Sequence, residues 1–421
     1  MLFESFTAAQ STLLWSVFIV ALILGAVVNK TNFCTMGAVS DMVNMGDYSR
    51  FRAWLLAIAV GIIGMLILES AGLVNADSSF PPYRGSQLIW AENILGGFLF
   101  GIGMTLASGC GNKTLIRIGG GNIKSIFVFL IISVIAYFMT SPFPGSDQTL
   151  FSILFFDWIR PLAISLDSNQ DLGSLVSQDN SILWRTIIGG VIAVLLLVYI
   201  FRAKEFRKNS EHWIAGFVVG LAVLAGWYLS SSIMVDVPSE ETEYSLMQYY
   251  ENWDMVSETE EGKPAQGATL SPQSFTFINP IGQTLGYASS GLQSSMLTFG
   301  IVSVFGVILG SLLWSLVSKS FRIEWFVNFK DFLTHLIGAI LMGFGGVLAL
   351  GCTIGQGITG FSTLALGSIF AFIAIVFGSA LTMKIQYYQM LYEDASFFAV
   401  LTTALVELKL LPAKMRKLEA L

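Results

Sequence analysis

Nine apolar stretches dominate the sequence, and each is long enough to cross a bilayer as a helix, which takes about 20 residues. Only 12% of the 421 residues are charged, against about 25% in soluble domains. A soluble core could not bury this much apolar surface, so we predict an all-α polytopic membrane protein. The predicted spans are residues 11–29, 51–72, 91–108, 122–141, 184–202, 212–234, 295–318, 331–350 and 365–385.

Basic residues are concentrated in alternate connecting segments, and this pattern predicts the orientation. The basic segments are residues 30–52, 109–124, 202–211, 319–330 and the tail after residue 391. Because Lys and Arg mark the cytoplasmic side, we place the N-terminus outside and the C-terminus in the cytoplasm. The acidic segments 142–183 and 235–280 then lie outside. We predict that 235–280 is a surface loop with short helical pieces, partly disordered.

Two segments of the chain match at a constant offset of 242 residues. GGFLFGIGMTLASGCGNKT, which begins at Gly96, and GAILMGFGGVLALGCTIGQ, which begins at Gly338, share eight identical positions. Four predicted spans precede the fifth and four follow it, so the duplicated halves have inverted topology. Inverted repeats place binding sites between the halves near the bilayer midplane. We predict a first repeat at 1–141, a linking region at 142–211, a second repeat at 212–390 and an interfacial tail at 391–421.

All three cysteines lie at predicted helix breaks. Cys110 and Cys352 occupy equivalent positions of the repeat beside glycines, and Cys34 lies in a similar stretch, NKTNFCTMG, after the first span. A broken backbone is tolerated in lipid only where it lines a cavity or is buried in protein. We therefore predict re-entrant half-helices near the midplane. An odd number of cysteines without a CxxC pattern argues against a disulfide framework or a zinc site, and we expect no metal and no cofactor.

The predicted site suits an anion that carries a reduced sulfur atom. Open N-termini of half-helices present unpaired N–H groups and a partial positive charge. Thiols in apolar surroundings stay neutral, so they would not repel an anion and can offer S–H donors to a soft sulfur. The lysines equally fit a role as topology signals, and the amides equally fit a role as helix caps. The predicted substrate-binding residues are Cys34, Cys110, Cys352, Lys30, Lys113, Gly109, Gly111, Gly351, Asn112 and Gln356.

The cysteine-containing segments resemble a known family. NFCTMG, LASGCGNKTL and LALGCTIGQGITGFS are similar to the signature segments of the YeeE/YedE family, bacterial inner-membrane proteins of thiosulfate uptake. The resemblance implies a helical membrane protein of two halves and import of thiosulfate, or of a similar sulfur or selenium species, along Cys34, Cys110 and Cys352. It also implies a small TusA-like sulfurtransferase as a cytoplasmic partner.

Two other classes of function fit the same residues. A membrane sulfurtransferase would form a persulfide on a cysteine, which requires a thiolate activated by a nearby histidine or cation. Neither His212 nor His335 obviously meets that need. A structural protein or anion channel would use the cysteines for packing alone. We expect a transporter rather than an enzyme. The expected partners are the sulfur anion and the lipid bilayer, and the net charge of −6 argues against a nucleic acid.

Overall fold

A computed structural model describes residues 1–237, 242–256, 263 and 267–419. Within these residues, nine helical segments are long and apolar enough to cross a membrane, which confirms the predicted all-α polytopic class. The helices are α1 (Phe6–Thr31), α2 (Thr35–Ser40), α3 (Ser49–Ser70), α4 (Trp90–Leu106), α5 (Gly111–Gly119), α6 (Ile123–Thr140), α7 (Asp157–Ile159), α8 (Leu172–Val176), α9 (Ser181–Phe201), α10 (Lys204–Lys208), α11 (Ser210–Ser232), α12 (Leu246–Glu251), α13 (Trp253–Val256), α14 (Ile278–Ser289), α15 (Phe299–Val317), α16 (Phe329–Leu348), α17 (Leu366–Leu391) and α18 (Phe397–Glu407).

Short elements of other kinds complete the chain. The π-helical turns are Asp41–Met45, Ser152–Phe156 and Gly355–Gly360, and the 3₁₀ turns are Arg160–Leu162, Gly267–Leu270, Ser294–Met296 and Ala413–Met415. The strands are β1 (Leu2–Phe3), β2 (Gln87–Leu88), β3 (Ile164–Ser165), β4 (Met234–Val237) and β5 (Thr242–Ser245). β4 pairs with β1 in parallel and with β5 antiparallel, and β2 pairs antiparallel with β3.

The helices pack in pairs that repeat between the two halves of the chain. α1 packs on α15 and α11 packs on α3, while α4 packs on α17 and α16 packs on α6. Likewise α14 contacts α6, and α2 contacts α17. The helices of the first half, α1, α2, α3, α4 and α6, correspond in that order to α11, α14, α15, α16 and α17 of the second half. Exchanging corresponding helices converts the first pair in each of these comparisons into the second. A two-fold relation between the halves would produce this pairing, and the inverted orientation of the halves stays a prediction.

Glycines set the crossing of α4 and α16 at the centre of the molecule. A Cβ atom on Gly96 would lie 2.5 Å from Ala349 N, and one on Gly338 would lie 2.6 Å from Ala107 N. The two helices run antiparallel, because the first half of α4 contacts the end of α16 and the end of α4 contacts the first half of α16. Only glycine allows the backbones to approach this closely, as small residues do in membrane helix pairs.

The predicted outer loop 235–280 is only partly a surface loop. Tyr249 and Trp253 are buried against Phe6 of α1, with ring centroids 5.3 Å from the Phe6 ring in both cases. Residues 273–277 are buried and lead directly into α14. The surface-loop prediction is therefore wrong for these parts, because their aromatic side chains pack into the core. The partial disorder predicted for 235–280 stays a prediction, and residues 238–241, 257–262 and 264–266 of that segment lie outside the described residues.

Candidate functional site

Three long helices end in the same way just before a cysteine. One or two residues after each helix ends, the backbone adopts the left-handed conformation, with φ of 50° at Asn32, 59° at Ser108 and 58° at Leu350. At α4, Gly109 N donates to Met104 O over 2.8 Å, and at α16, Gly351 N donates to Gly346 O over 2.8 Å. This is the usual C-terminal capping geometry of helices. Ser108 and Leu350 are 242 residues apart, so the two breaks occur at equivalent positions of the sequence repeat.

Each cysteine immediately precedes the first residue of a re-entrant helix. Cys34 is the N-cap of α2 and Cys110 is the N-cap of α5. Cys352 precedes the helical turn that continues as Gly355–Gly360. The carbonyl oxygen of each cysteine accepts the first helical hydrogen bond, over 3.0 Å at Cys34, 2.9 Å at Cys110 and 2.8 Å at Cys352. Short helices follow each break, as predicted, and they begin at the cysteines themselves. Their position near the bilayer midplane stays a prediction.

The three thiols converge in the interior of the protein. All three cysteines are free and buried, with exposed fractions of 5% at Cys34, 2% at Cys110 and 0% at Cys352. Cys110 lies within electrostatic range of both other cysteines. The fourth re-entrant helix, α14, begins after Phe277 beside Gly111. The helix starts therefore gather around one centre, and Cys110 is close enough to both other thiols to interact with them electrostatically.

The helix starts leave backbone N–H groups available at this centre. Among the described residues, no side chain caps α2 or α5, whereas Gly355 N donates to Cys352 Sγ over 3.5 Å, an ordinary distance for a sulfur acceptor. Unpaired N–H groups at a helix start carry the positive end of the helix dipole. The centre therefore combines neutral thiols with a field that favours negative charge.

The predicted glycines allow close packing around the breaks. A Cβ on Gly109 would lie 2.9 Å from Lys113 Cγ, and one on Gly111 would lie 2.9 Å from Ile278 Cδ1. A Cβ on Gly351 would lie 3.2 Å from Thr276 Oγ1. Each glycine makes room for a neighbouring side chain. Gly111 and Gly351 let the starts of two of the helices approach the start of α14, and Gly109 makes room for Lys113 of α5.

The two predicted lysines have different surroundings. Lys113 Nζ donates to Asn32 Oδ1 over 2.5 Å, and Lys113 lies within electrostatic range of Cys34 and Cys110. Lys30 is exposed and its Nζ lies 5.2 Å from the centroid of the Trp314 ring. The structure thus brings Lys113 to the thiols and directs Lys30 to the surface of the helix bundle.

The two predicted amide residues, Asn112 and Gln356, are buried close to the cysteines, and the oxygen atoms of their side chains are unpaired within the described part of the chain. Asn112 Oδ1 and Gln356 Oε1 have no hydrogen-bond partner among the described residues, and Gln356 Nε2 donates to Ala349 O. Unpaired buried oxygen atoms need a donor, such as a thiol or a water molecule. An anion needs donors, so their placement does not support direct anion binding by these two oxygens.

Two residues at the centre were not predicted from the sequence. Tyr83 belongs to the segment between α3 and α4, and its hydroxyl lies beside Thr276 and within electrostatic range of Cys352. Thr276 lies in the buried segment that leads into α14 and also contacts Gly355. Burial, followed by the nearby Cys352 sulfur, raises the pKa of Tyr83 above its ordinary value, so its hydroxyl is neutral at physiological pH. Neither residue is part of the sequence repeat that indicated the cysteines.

Two large cavities lie away from the thiols. One, of about 650 Å³, is lined by residues that include Trp90, Trp158 and Phe377. The other, of about 790 Å³, is lined by residues that include Phe6 and Trp15. None of the cysteines lines either of these two cavities. In the described part of the chain, no group of three or more His, Cys, Asp or Glu side chains is placed to hold a metal ion.

The fold and the thiol centre define a polytopic membrane protein with short helices that begin at cysteines and meet inside it. A family model described as sulphur transport matches residues 30–381. The chain therefore belongs to the sulphur transport family. This confirms the YeeE/YedE resemblance and the expectation of a transporter rather than an enzyme.

Two curated relatives cover most of this chain. The thiosulfate transporter TsuA of Escherichia coli (strain K12) is 24% identical over 359 residues, which are 80% of this chain and 84% of the relative. The thiosulfate transporter TsuA of Spirochaeta thermophila is 25% identical over 373 residues, which are 87% of this chain and 97% of the relative.

Proposed function

We propose that the protein transports thiosulfate across the bacterial inner membrane, with its N-terminus outside and its C-terminus in the cytoplasm. The observation that carries this proposal is the convergence of Cys34, Cys110 and Cys352, each at the start of a re-entrant helix. Both relatives described above are named thiosulfate transporters. The basic segments support the orientation through the positive-inside rule.

The chemistry of the centre suits the two ends of thiosulfate. The terminal sulfur is soft and negatively charged, and it can accept S–H···S contacts from neutral thiols. The sulfonate oxygens can accept hydrogen bonds from N–H groups at the helix starts. An all-oxygen anion such as sulfate gains less from the thiols, so the cysteines favour the reduced species.

The surroundings of the cysteines support an order along the pathway. Cys352 lies near Tyr83, which comes from the segment between α3 and α4 on the predicted outer side. Lys113 belongs to the predicted inner segment 109–124 and lies near Cys34 and Cys110. The cargo would therefore meet Cys352 first, pass Cys110 and leave by Cys34. A TusA-like sulfurtransferase that receives the cargo in the cytoplasm stays a prediction from the resemblance.

The sulfurtransferase alternative has little support from the histidines. His335 Nδ1 lies 3.0 Å from a carboxylate oxygen of Asp331, and His212 lies near the charged residues Asp47 and Arg50. Each histidine has a charged neighbour in its own region. The cation that this alternative requires would be Lys113, which lies near Cys34 and Cys110.

Uptake of ³⁵S-thiosulfate into cells that lack other importers tests the proposal. We expect Cys110→Ala to reduce uptake by about tenfold or more, because a hydrogen bond to a charged group contributes about 1.5–3 kcal/mol and 1.4 kcal/mol is a factor of ten. Cys110→Ser should fold at least as well, since serine is a favoured N-cap, and should still transport poorly.

Ser303→Ala is the matched control. Ser303 is fully buried in α15, and its hydroxyl donates to Phe299 O of the same helix over 2.7 Å. Uptake by this variant should equal that of the unmodified protein. Normal uptake by Cys110→Ala at equal protein levels would contradict the role of the thiol.

A further inference from the structure

The segment between α3 and α4 turns back into the protein and places one aromatic ring above the thiol centre. Tyr83 is 3% exposed, and its Cδ1 atom lies 2.9 Å from where a Cβ on Gly360 would be. Gly360 ends the π-helical turn of the helix that begins after Cys352. The Tyr83 ring also lies 6.4 Å from the ring of Trp227, in an edge-on arrangement. The ring is therefore held between the Cys352 helix and α11.

The hydroxyl end of Tyr83 reaches the residues that surround Cys352. It lies beside Thr276 and within electrostatic range of the Cys352 thiol. Thr276 in turn contacts Gly351 and Gly355, which flank the start of the helix on either side of Cys352. Tyr83, Thr276 and Cys352 are thus contiguous, with the tyrosine on the side of the α3–α4 segment.

An ionic cluster, buried except for the Asp77 carboxylate, which is 38% exposed, holds the backbone of this segment in place. We call Glu69, Asp77, Arg84, Asp171 and Arg185 the outer anchor. Arg84 is 1% exposed, donates to Thr363 O over 2.9 Å, and binds both oxygens of the Glu69 carboxylate. Arg185 donates to both carboxylate oxygens of Asp171 over 2.8 and 2.9 Å and to Asp77 over 3.1 Å.

The outer anchor determines which part of Tyr83 can move. Breaking a buried ion pair by withdrawing one partner is strongly unfavourable, so the backbone beside Arg84 stays fixed. The Tyr83 side chain takes no part in these ion pairs, so a change of its rotamer breaks none of them. A path past Tyr83 therefore opens by rotation of the ring rather than by release of the segment.

We propose that Tyr83 closes the outer end of the thiol pathway above Cys352, and that its ring swings aside to admit the anion. This inference rests on the proposed function and adds a residue that controls access. The neutral hydroxyl also supplies a hydrogen-bond donor that a sulfonate oxygen of the incoming anion can accept. Tyr83 is thus both the outer barrier and the first polar group on the path.

Chemical labelling of Cys352 tests the barrier directly. The probe is 2-sulfonatoethyl methanethiosulfonate, an anionic thiol reagent that does not cross membranes, added to right-side-out vesicles. The full chain carries Cys34→Ser and Cys110→Ser, so that Cys352 is the remaining thiol. We expect Tyr83→Ala to raise the labelling rate by about tenfold or more, because the energy needed to expose the thiol falls. Tyr83→Phe keeps the ring and should label as slowly as the parent.

The matched control is Tyr249→Ala, which removes a buried tyrosine from α12, where its ring packs on Phe6. Its labelling rate should equal that of the parent. If Tyr83→Ala fails to fold and labels like the detergent-denatured chain, Tyr83→Leu is tested instead. Its labelling rate should lie between that of Tyr83→Phe and that of the denatured chain. Equal rates for the parent and the folded small variant would overturn the proposal. A Tyr83-dependent rise seen only in inverted vesicles would also overturn it.

The labelling experiment contains no thiosulfate, so its outcome is separate from that of the uptake experiment. If labelling does not depend on Tyr83, the proposal that Tyr83 is a barrier is wrong, and the proposal of thiosulfate transport is unaffected. If Cys110→Ala transports thiosulfate normally, the proposed role of the thiol is wrong, and the result for access of the reagent to Cys352 is unaffected.

Discussion

Cysteine occupies positions in this chain where serine would cap a helix better. A serine hydroxyl at an N-cap accepts a hydrogen bond from the first turn, whereas among the described residues no side chain caps α2 or α5. At Cys352 the sulfur itself accepts a hydrogen bond from Gly355 N, over 3.5 Å. Serine would cap α2 and α5 better than cysteine does, so the sulfur atoms of Cys34 and Cys110 are better explained by a ligand than by the fold.

Lys30 and Lys113 show that the sequence alone does not determine which lysine side chains face the site. Lys30 and Lys113 both lie four or fewer positions from a cysteine, and both were predicted to contribute to the site. Lys30 is in the last turn of α1, where the helical rotation directs it toward Trp314. Lys113 is in the first turn of α5 and bonds Asn32 beside Cys34. Distance along the chain does not determine the direction of a side chain.

Replacement of these lysines makes a paired prediction. Lys113→Met should raise the KM for thiosulfate uptake by about tenfold, because it removes a positive charge near two thiols and 1.4 kcal/mol of binding is a factor of ten. Lys30→Met should leave KM unchanged, since its side chain faces the surface. Concentration-dependent ³⁵S uptake measures both. An equal effect of the two variants would show that only the overall charge of the inner face matters.

The long helices and their breaks could largely be predicted from sequence, because apolar length and glycine position are local signals. All nine predicted spans correspond to a helical segment of the described chain. The segment before α14 was missed: residues 235–272 are largely polar, and SFTF at 274–277 has only two apolar residues, too few to indicate burial. Tyr83 was missed for a related reason, since its position depends on an ionic cluster drawn from distant parts of the chain.

The crossing of α4 and α16 gives a prediction for these elements. A Cβ on Gly345 would lie 2.5 Å from Phe100 N, so Gly345→Ala should force the backbones apart and destabilise the protein by about 1–3 kcal/mol. The control is Gly190→Ala in α9, where a Cβ meets nothing within 4 Å. Thermal unfolding in detergent measures both variants. A Gly345→Ala protein as stable as the control would contradict the packing at the crossing.

At the scale of the whole molecule, the outer anchor joins regions that are far apart in sequence. It links the end of α3, the segment before α4, the connection before α8 and the first turns of α9. The repeat predicted two halves but gave no indication of this cluster, because its members lie outside the matching segments. Paired helix contacts and the shared breaks at Ser108 and Leu350 support the inverted arrangement, which stays a prediction.

The outer anchor makes stability depend on pH in a defined direction. Burial acts to raise the pKa of Asp171, but hydrogen bonds from Arg185 and the charge of Arg84 outweigh it, and the pKa is lowered. A lowered pKa means that the ionised carboxylate stabilises the fold at neutral pH and that this contribution is lost as pH falls through the folded-state pKa.

Asp171→Asn should therefore lower the free energy of unfolding at pH 7 by about 3 kcal/mol and should lose less stability than the unmodified protein on acidification. Thermal unfolding from pH 7 to below the ordinary carboxyl range measures this difference. Asp254→Asn, at an exposed position, is the control and should match the unmodified protein. Parallel pH profiles for the Asp171 variant and the unmodified protein would show that Asp171 does not contribute as an ion.

The central claim is that three neutral thiols at the starts of re-entrant helices bind one sulfur anion. The most direct measurement is an experimental density map of the protein with thiosulfate bound. We predict density for the anion between the cysteines, with its terminal sulfur in contact with the Cys110 thiol and its oxygens toward the helix starts. Thiosulfate bound elsewhere, with the three thiols packed only against protein or lipid, would contradict the account.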